Sequence, residues 1–466
     1  MITAAKDEIC FAMYVLSPAH IVNMIKQRTI FFILIIIIHV CFFIKAIQTG
    51  QVFTKDSYEY IQQAKNIKNN NSWYCGDMNT AIQPALYSQR TPGYGAFIFV
   101  LKQINNSIWF LLIMQSLLSI FNFYVLYRLL QQLSIKINLF VLLIPLFAFP
   151  SQFIYSNLVM SEMLLQTCVL LSFYFLVQFI RSKSASAIWL YQLFITCALL
   201  VKPIWYLFPF VSILFFIWLV RQKQVNRFAI FTHLIPITIV AGIFFHNHQQ
   251  TNYWEYSSIQ RKLMINYNVF EVLEQLHGKE LASLMVDSMQ DEAAIKKEYH
   301  EQAASLQQQI NNLLWAHPFT FAWIETKGIV KFFTDHSRYD IESFFSQVPA
   351  QVNSWQQDFK LNRWTGLFNH FKTYNLFYLF YLFLSMVINA FVLFCLFLFA
   401  KQKSISLHIR IALVLMIIYT ALLTGPTGTT RFRLPVFPLL LLSFAVVLPI
   451  VQQWIKKRFL FYPKSS

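Results

Sequence analysis

The first polar stretch of the chain, 54–94, holds side chains whose types and spacing suit chemistry. Asp56, Glu59 and Tyr60 stand at i, i+3 and i+4, so a helical segment would carry them on one face. A carboxylate placed this way can take the proton from an acceptor hydroxyl or amine as it attacks the anomeric carbon of a sugar. Asp56 with Glu59 also fits the plainer role of a capping box at a helix start, and the two roles are compatible. The stretch closes on Gln89-Arg90-Thr91-Pro92-Gly93-Tyr94, which adds Arg90 and Tyr94 as candidate substrate contacts. Further along, Glu162 lies alone at the head of an apolar run, and Lys202, Arg431 and Arg433 fall in short turns between such runs. An ionisable group at the edge of hydrocarbon is costly, which makes each of these a functional candidate. Glu162 has a plain reading as a helix-start residue favoured by the helix dipole, and the cations have one as residues snorkelling to lipid headgroups. Lysine and arginine also suit a phosphate, which arginine engages with two parallel hydrogen bonds. A substrate built from a lipid tail, a phosphate and a polar head would match all of these groups.

These residues need elements to hold them, and composition sets the class of element. Of the 466 residues, 57% are hydrophobic and only 12% charged, against about 25% charged in a soluble domain. Apolar runs of membrane-crossing length recur throughout, which predicts an all-α, polytopic helical membrane protein. Much of the net charge of +17 is accounted for by lysines and arginines expected in cytoplasmic loops, so no nucleic-acid partner is implied. Six cysteines, of which only Cys75 falls in a polar non-cytoplasmic segment, imply no disulfide framework. The first apolar run lacks a clear small-residue cleavage site and reads as a retained anchor.

About ten spans are expected, near 29–47, 108–126, 137–149, 158–180, 188–201, 204–220, a seventh ending near 245, then 374–400, 407–424 and 434–454. The organisation is a cytoplasmic tail 1–28, a transmembrane domain 29–245 whose first outer loop, 48–93, carries Asp56, an extracytoplasmic helical segment 246–373, C-terminal spans 374–455 and a cytoplasmic tail 456–466. Basic residues flank both ends of the chain, which places both on the cytoplasmic side. The outer segment holds 14 of the 20 acidic residues. It reads as amphipathic helix over 269–289 and 292–315, with an aromatic part, 317–333, lying along the membrane surface. Lys202-Pro203 should break the chain between two spans.

Five landmarks in order resemble polytopic membrane glycosyltransferases of the C-type fold, in particular the superfamily of protein O-mannosyltransferases and lipid A aminoarabinose transferases. They are Asp56 in the first outer loop, Arg90-Thr91-Pro92-Gly93-Tyr94, Ser161-Glu162 before a long span, Lys202-Pro203, and the turn Gly428-Thr429-Thr430-Arg431-Phe432-Arg433-Leu434-Pro435. The resemblance covers about 29–220 and 374–455. It implies that Asp56 activates the acceptor, that Arg431 and Lys202 hold the donor's phosphate, and that Glu162 orients the sugar or a base partner. This chain departs from the pattern at Ser57, where relatives often have a second acid, and in its long helical outer segment.

The expected activity is therefore transfer of a sugar from a polyprenyl-phosphate-linked donor to a lipid, glycan or protein acceptor, at the periplasmic face of a bacterial inner membrane. Glu59, Tyr60, Arg90, Tyr94 and Arg433 would join Lys202 and Arg431 in binding substrate. A lipid-linked donor is already activated, and no glycine-rich phosphate loop is present. A divalent metal shared by Asp56 and Glu162 is left open, although no His or Asp cluster with ligand spacing calls for one. The competing class is a transporter or lipid flippase, which tends to place charge near the bilayer midplane and to repeat its halves. A scaffold for envelope machinery is the third.

Overall fold

The computed structural model describes residues 18–346, 363, 365 and 375–459. Most of the expected tails and the end of the outer segment, 347–373, lie outside the described residues apart from those two positions. Helices and turns, and no strand, make up what is described.

Helices of eight or more residues are numbered in chain order. The first two thirds of the bundle contain α1 (Pro18–Thr49), α2 (Lys55–Asn70), α3 (Pro92–Ile104), α4 (Ile108–Gln132), α5 (Glu162–Ser182), α6 (Ala185–Val201), α7 (Phe208–Arg221) and α8 (Leu234–Thr251). The outer segment forms α9 (Phe270–His277), α10 (Lys279–Ala294), α11 (Tyr299–Ala316), α12 (Pro318–Thr334) and α13 (Arg338–Phe345). The chain then returns through α14 (Leu376–Lys401), α15 (Leu407–Leu423) and α16 (Phe437–Phe459).

Seven stretches are long and apolar enough to cross a membrane, in α1, α4, α5, 203–221, 228–251, α14 and 430–454. The protein is a multi-pass helical membrane protein. Two further apolar helices, α6 and α15, have 17 residues each and reach about 26 Å at 1.5 Å per residue. Burial sorts these helices into centre and rim. Within the apolar windows, 72% of α5 and 83% of 430–454 are covered by protein, against 22% of α1. The exposed isoleucines of α1 face outward, as side chains meeting lipid do.

Several expected elements form differently. The stretch 137–149 is not one helix but a 3-10 turn, Leu139–Leu142, and a five-residue helix, Leu143–Phe147. Pro145, which has no backbone donor, sits in the first turn of the short helix, and that helix ends before Pro150. The helix expected to start at 158 starts at Glu162. Gly278, at φ +85, divides the predicted 269–289 helix into α9 and α10. The break at Lys202-Pro203 forms as expected, with α6 ending at Val201 and a 3-10 turn following.

Helices α5 and α6 are joined only by Lys183-Ser184 and pack along each other. They form an antiparallel hairpin, so the start of α5 and the end of α6 lie at the same end of the bundle. That topology alone brings Lys202 back to the level of Glu162.

Candidate active site at one end of the bundle

Asp56 sits in the first turn of α2. That helix does not start in the way its acids suggested. Thr54 is the N-cap, and its N–H donates to Ser57 Oγ at 2.8 Å, so the capping role belongs to Thr54 and Ser57 and leaves Asp56 and Glu59 free to face other elements. Ser57 Oγ also donates to the Val159 carbonyl at 2.8 Å, and Val159 N–H donates to the Val52 carbonyl at 2.9 Å. These bonds stitch the first turn of α2 to the approach of α5 and set Asp56 beside Glu162.

Arg431 closes the site from the far end of the chain. It lies in the short helix Thr430–Arg433 before α16, where Nη2 meets Asp56 Oδ2 at 2.6 Å and Nε meets Glu162 Oε1 at 2.5 Å. Lys202 Nζ reaches the same Glu162 oxygen at 2.6 Å. Arg90 binds the other oxygen of Asp56 through Nη2 at 2.7 Å and Glu59 Oε2 through Nε at 2.5 Å. Gln89 Nε2 donates to Glu59 Oε1 at 2.7 Å. Three carboxylates and three cations from five separate segments thus form one chain of ion pairs.

The network is graded in exposure. The side chains of Asp56, Glu59 and Arg431 are 24%, 26% and 25% exposed, whereas Glu162 is fully buried. Its second oxygen, Oε2, has no partner, although both cations converge on the first. Burial on its own would raise the Asp56 carboxyl, but Arg431 and Arg90 outweigh it and hold the group well below the usual carboxylate range. Burial opposes the charge on Arg90, yet Tyr60, Asp56 and Glu59 more than restore it, so it keeps its proton. Among the described residues no three His, Cys, Asp or Glu side chains converge as a metal ion requires.

Tyr60 and Tyr94 support the network from beneath. The Arg90 guanidinium lies 5.0 Å from the centre of the Tyr60 ring, whose hydroxyl is 3.3 Å from Ser161 Oγ. Tyr94 is fully buried, packs edge-on to Tyr60 at 4.8 Å and donates to Gln115 Oε1. A substrate contact expected of Tyr94 is not what its position offers. Arg433 departs furthest from expectation. Its Nη1 and Nη2 donate to the carbonyls of Phe333 and Asp335 at 2.6 and 2.7 Å, with the Phe149 ring 4.6 Å away. It clamps α12 to the α16 turn and stays out of the ion-pair chain.

Sequence reasoning missed the residues that hold this turn. Asp335 Oδ2 accepts from Thr430 N–H at 2.9 Å. Asp340, in α13, accepts from Thr430 Oγ1 at 2.6 Å, Ser151 Oγ at 2.5 Å and Tyr155 OH at 3.1 Å. Burial lifts the Asp340 carboxyl to about 6 against the pull of the three hydroxyls. Gly328 of α12 touches the turn backbone to backbone, and a Cβ there would overlap the Gly425 carbonyl. On the other flank Glu255 accepts from Ser88 Oγ at 2.7 Å and from Arg261 at 2.8 Å, while Ser257 Oγ donates to the Gln89 carbonyl at 3.0 Å. Asp335, Asp340, Glu255 and Ser257 carried no sequence signal beyond being polar in a polar segment, and Gly328 carried none.

The fold and site define a multi-pass helical membrane protein with a buried-to-exposed ion-pair network at one end of its bundle. Comparison with family models, characterised proteins and solved structures gives no match.

Proposed function

We propose that this protein is a membrane glycosyltransferase that moves a sugar from a polyprenyl-phosphate-linked donor to a lipid, glycan or protein acceptor. The observation that carries the reading is that Arg431, near the end of the chain, is shared by Asp56, near its front, and by Glu162, which Lys202 also binds. An acid able to serve as a base stands beside two cations able to hold a phosphate, at the membrane-edge end of an apolar bundle.

In this reading the donor phosphate enters where Arg431 is partly exposed and competes with Asp56 for the guanidinium. Arg431 and Lys202 then carry the phosphate's charge. Asp56, left with Arg90 as its ion-pair partner, becomes a stronger base because it has lost the largest of the charges that depressed it, that of Arg431. The acceptor oxygen or nitrogen attacks the anomeric carbon, its proton passes to Asp56, and the bond from that carbon to the phosphate oxygen breaks. Polyprenyl phosphate leaves with the electron pair, held by the same two cations. Glu162 spaces Lys202 from Arg431, and Arg90 with Glu59 fixes Asp56. The reading includes a C-type fold with ten spans, 137–149 being a broken one, in a bacterial inner membrane with the site facing the periplasm.

Mass spectrometry of lipid retained by protein purified from its own membranes tests this, together with a transfer assay on those membranes. Wild type should carry a polyprenyl phosphate or its glycosylated form. Asp56→Asn should retain the sugar-loaded lipid and transfer nothing. An Asp56→Ala protein with wild-type transfer removes Asp56 from the chemistry, and the absence of any isoprenoid lipid from wild type removes the donor. A transporter would instead show loss of uptake in Asp56→Asn with glycan transfer intact.

A further inference from the structure

Helix α12 is apolar on two opposite faces. Ile324, Gly328 and Phe332, at i, i+4 and i+8, are buried on the side that meets the turn before Arg431. On the other side Phe319, Trp323 and Val330, at i, i+4 and i+11, form one stripe that is 89%, 57% and 56% exposed. A helix bathed in water buries one apolar stripe and hydrates a polar one, so a second, mainly apolar stripe, here with Thr326 among its residues, calls for apolar material on both sides. The inner half of that material is protein. The outer half is not supplied by any described part of the chain.

The neighbours of α12 say what supplies it. It packs beside α14 and α15, and α14 is long and apolar enough to cross a membrane. The first turns of α14 expose Phe377 and Phe380 at 84% and 63%, a surface that lipid must cover. Tryptophan is enriched where acyl chains meet headgroups, and phenylalanine is common on the buried face of helices that lie there. Lys327 and Lys331 lie on the flank between the two faces, where long stems reach lipid phosphates. The helix also braces the turn at the end of the bundle through Gly328, and an amphipathic helix at that level can lie in the interface plane.

We propose that α12 docks in the headgroup–acyl boundary of the leaflet on the site's side, with Phe319, Trp323 and Val330 inserted into lipid. Because Gly328 seats directly on Gly425, this docking sets the Arg431 turn at the depth of lipid phosphates. Lipid would cover this stripe whether or not the protein transfers sugar.

Photo-crosslinking in native membranes tests it, with benzoylphenylalanine placed singly at Phe319, Trp323 and, as a control, the exposed Glu301 of α11. The first two positions are open enough to accept the label without unfolding the chain. Phospholipid adducts at 319 and 323, and none at 301, are the expected result. Adducts to a second copy of the chain or to another protein in place of lipid would overturn the proposal. Equal lipid labelling at all three positions, or no lipid adduct at 319 and 323, would overturn it as well.

Discussion

Arg431 and Arg433 are two residues apart, and the structure gives them opposite work. Successive residues of a helical turn are rotated by about 100°, so positions i and i+2 point to nearly opposite sides. Arg431 meets two carboxylates that each keep a second cation without it, Arg90 for Asp56 and Lys202 for Glu162. Arg433 is the donor to two carbonyls. If the protein takes the proposed lipid-linked donor, Arg431→Ala should therefore lose it at a cost in stability of only about 1–2 kcal/mol. Arg433→Ala, which strands both carbonyls and empties a buried site, should cost about 2–4 kcal/mol and lower Tm in detergent more. Equal losses of donor lipid in the two variants would mean that both arginines serve as general anchors. Asp340 gives a second prediction. Its carboxyl titrates near 6 in the fold against 3.8 as its ordinary value. The fold thus binds the additional proton between about pH 4 and 6, and the contribution of Asp340 to stability falls as pH rises through that window. Asp340→Asn should flatten this part of the Tm–pH curve, and an unchanged slope would assign the titration to another group.

Among the elements, α12 and the turn before α16 form the tightest joint near the site. Gly328 leaves no room for a Cβ against Gly425, and neither partner is a flexible side chain that can swing away. Gly328→Ala should push α12 off the turn, cost about 1–3 kcal/mol as an overpacked contact, and shift Arg431 from its two acids. Gly242 of α8 has open space around its Cβ position, so Gly242→Ala should be neutral or mildly stabilising, by up to about 1 kcal/mol. Thermal unfolding of both variants in one detergent separates them, and similar curves would show that the contact yields easily. The starts of α2 and α5 illustrate how local rules can point to the wrong residue. Asp56 with Glu59 satisfied the spacing of a capping box, yet Thr54 and Ser57 took the role, since a Thr two positions earlier offers the same oxygen without using a charge needed elsewhere.

Over the whole molecule, the network balances three negative charges with three positive ones, so any entering anion must displace a carboxylate. Glu162→Gln should leave Lys202 and Arg431 short of countercharge at a cost of about 3–5 kcal/mol, the usual penalty for breaking a buried pair. Inorganic pyrophosphate should then raise the Tm of that variant more than that of wild type, and equal shifts would show that the two cations do not form an anion site. The membrane class was legible in the sequence because hydrocarbon demands long apolar helices wherever it is crossed. Glu162, Lys202 and Arg431 were legible for the converse reason, since a charge beside hydrocarbon is expensive and stands out, whereas Asp56 and Arg90 stood out by their spacing and place in the first polar stretch. Their pairing was not legible. Arg431 meets Asp56 across 375 positions, and nothing local encodes a contact that depends on α5 and α6 returning Lys202 to Glu162, on Ser57 reaching Val159, and on Gly328 seating the last turn. The amino-acid order decided which groups are too costly to leave alone, because solvation energy is a property of each group and its immediate neighbours. The tertiary structure alone decided which of them meet, because a 2.6 Å ion pair is set by the packing of whole helices.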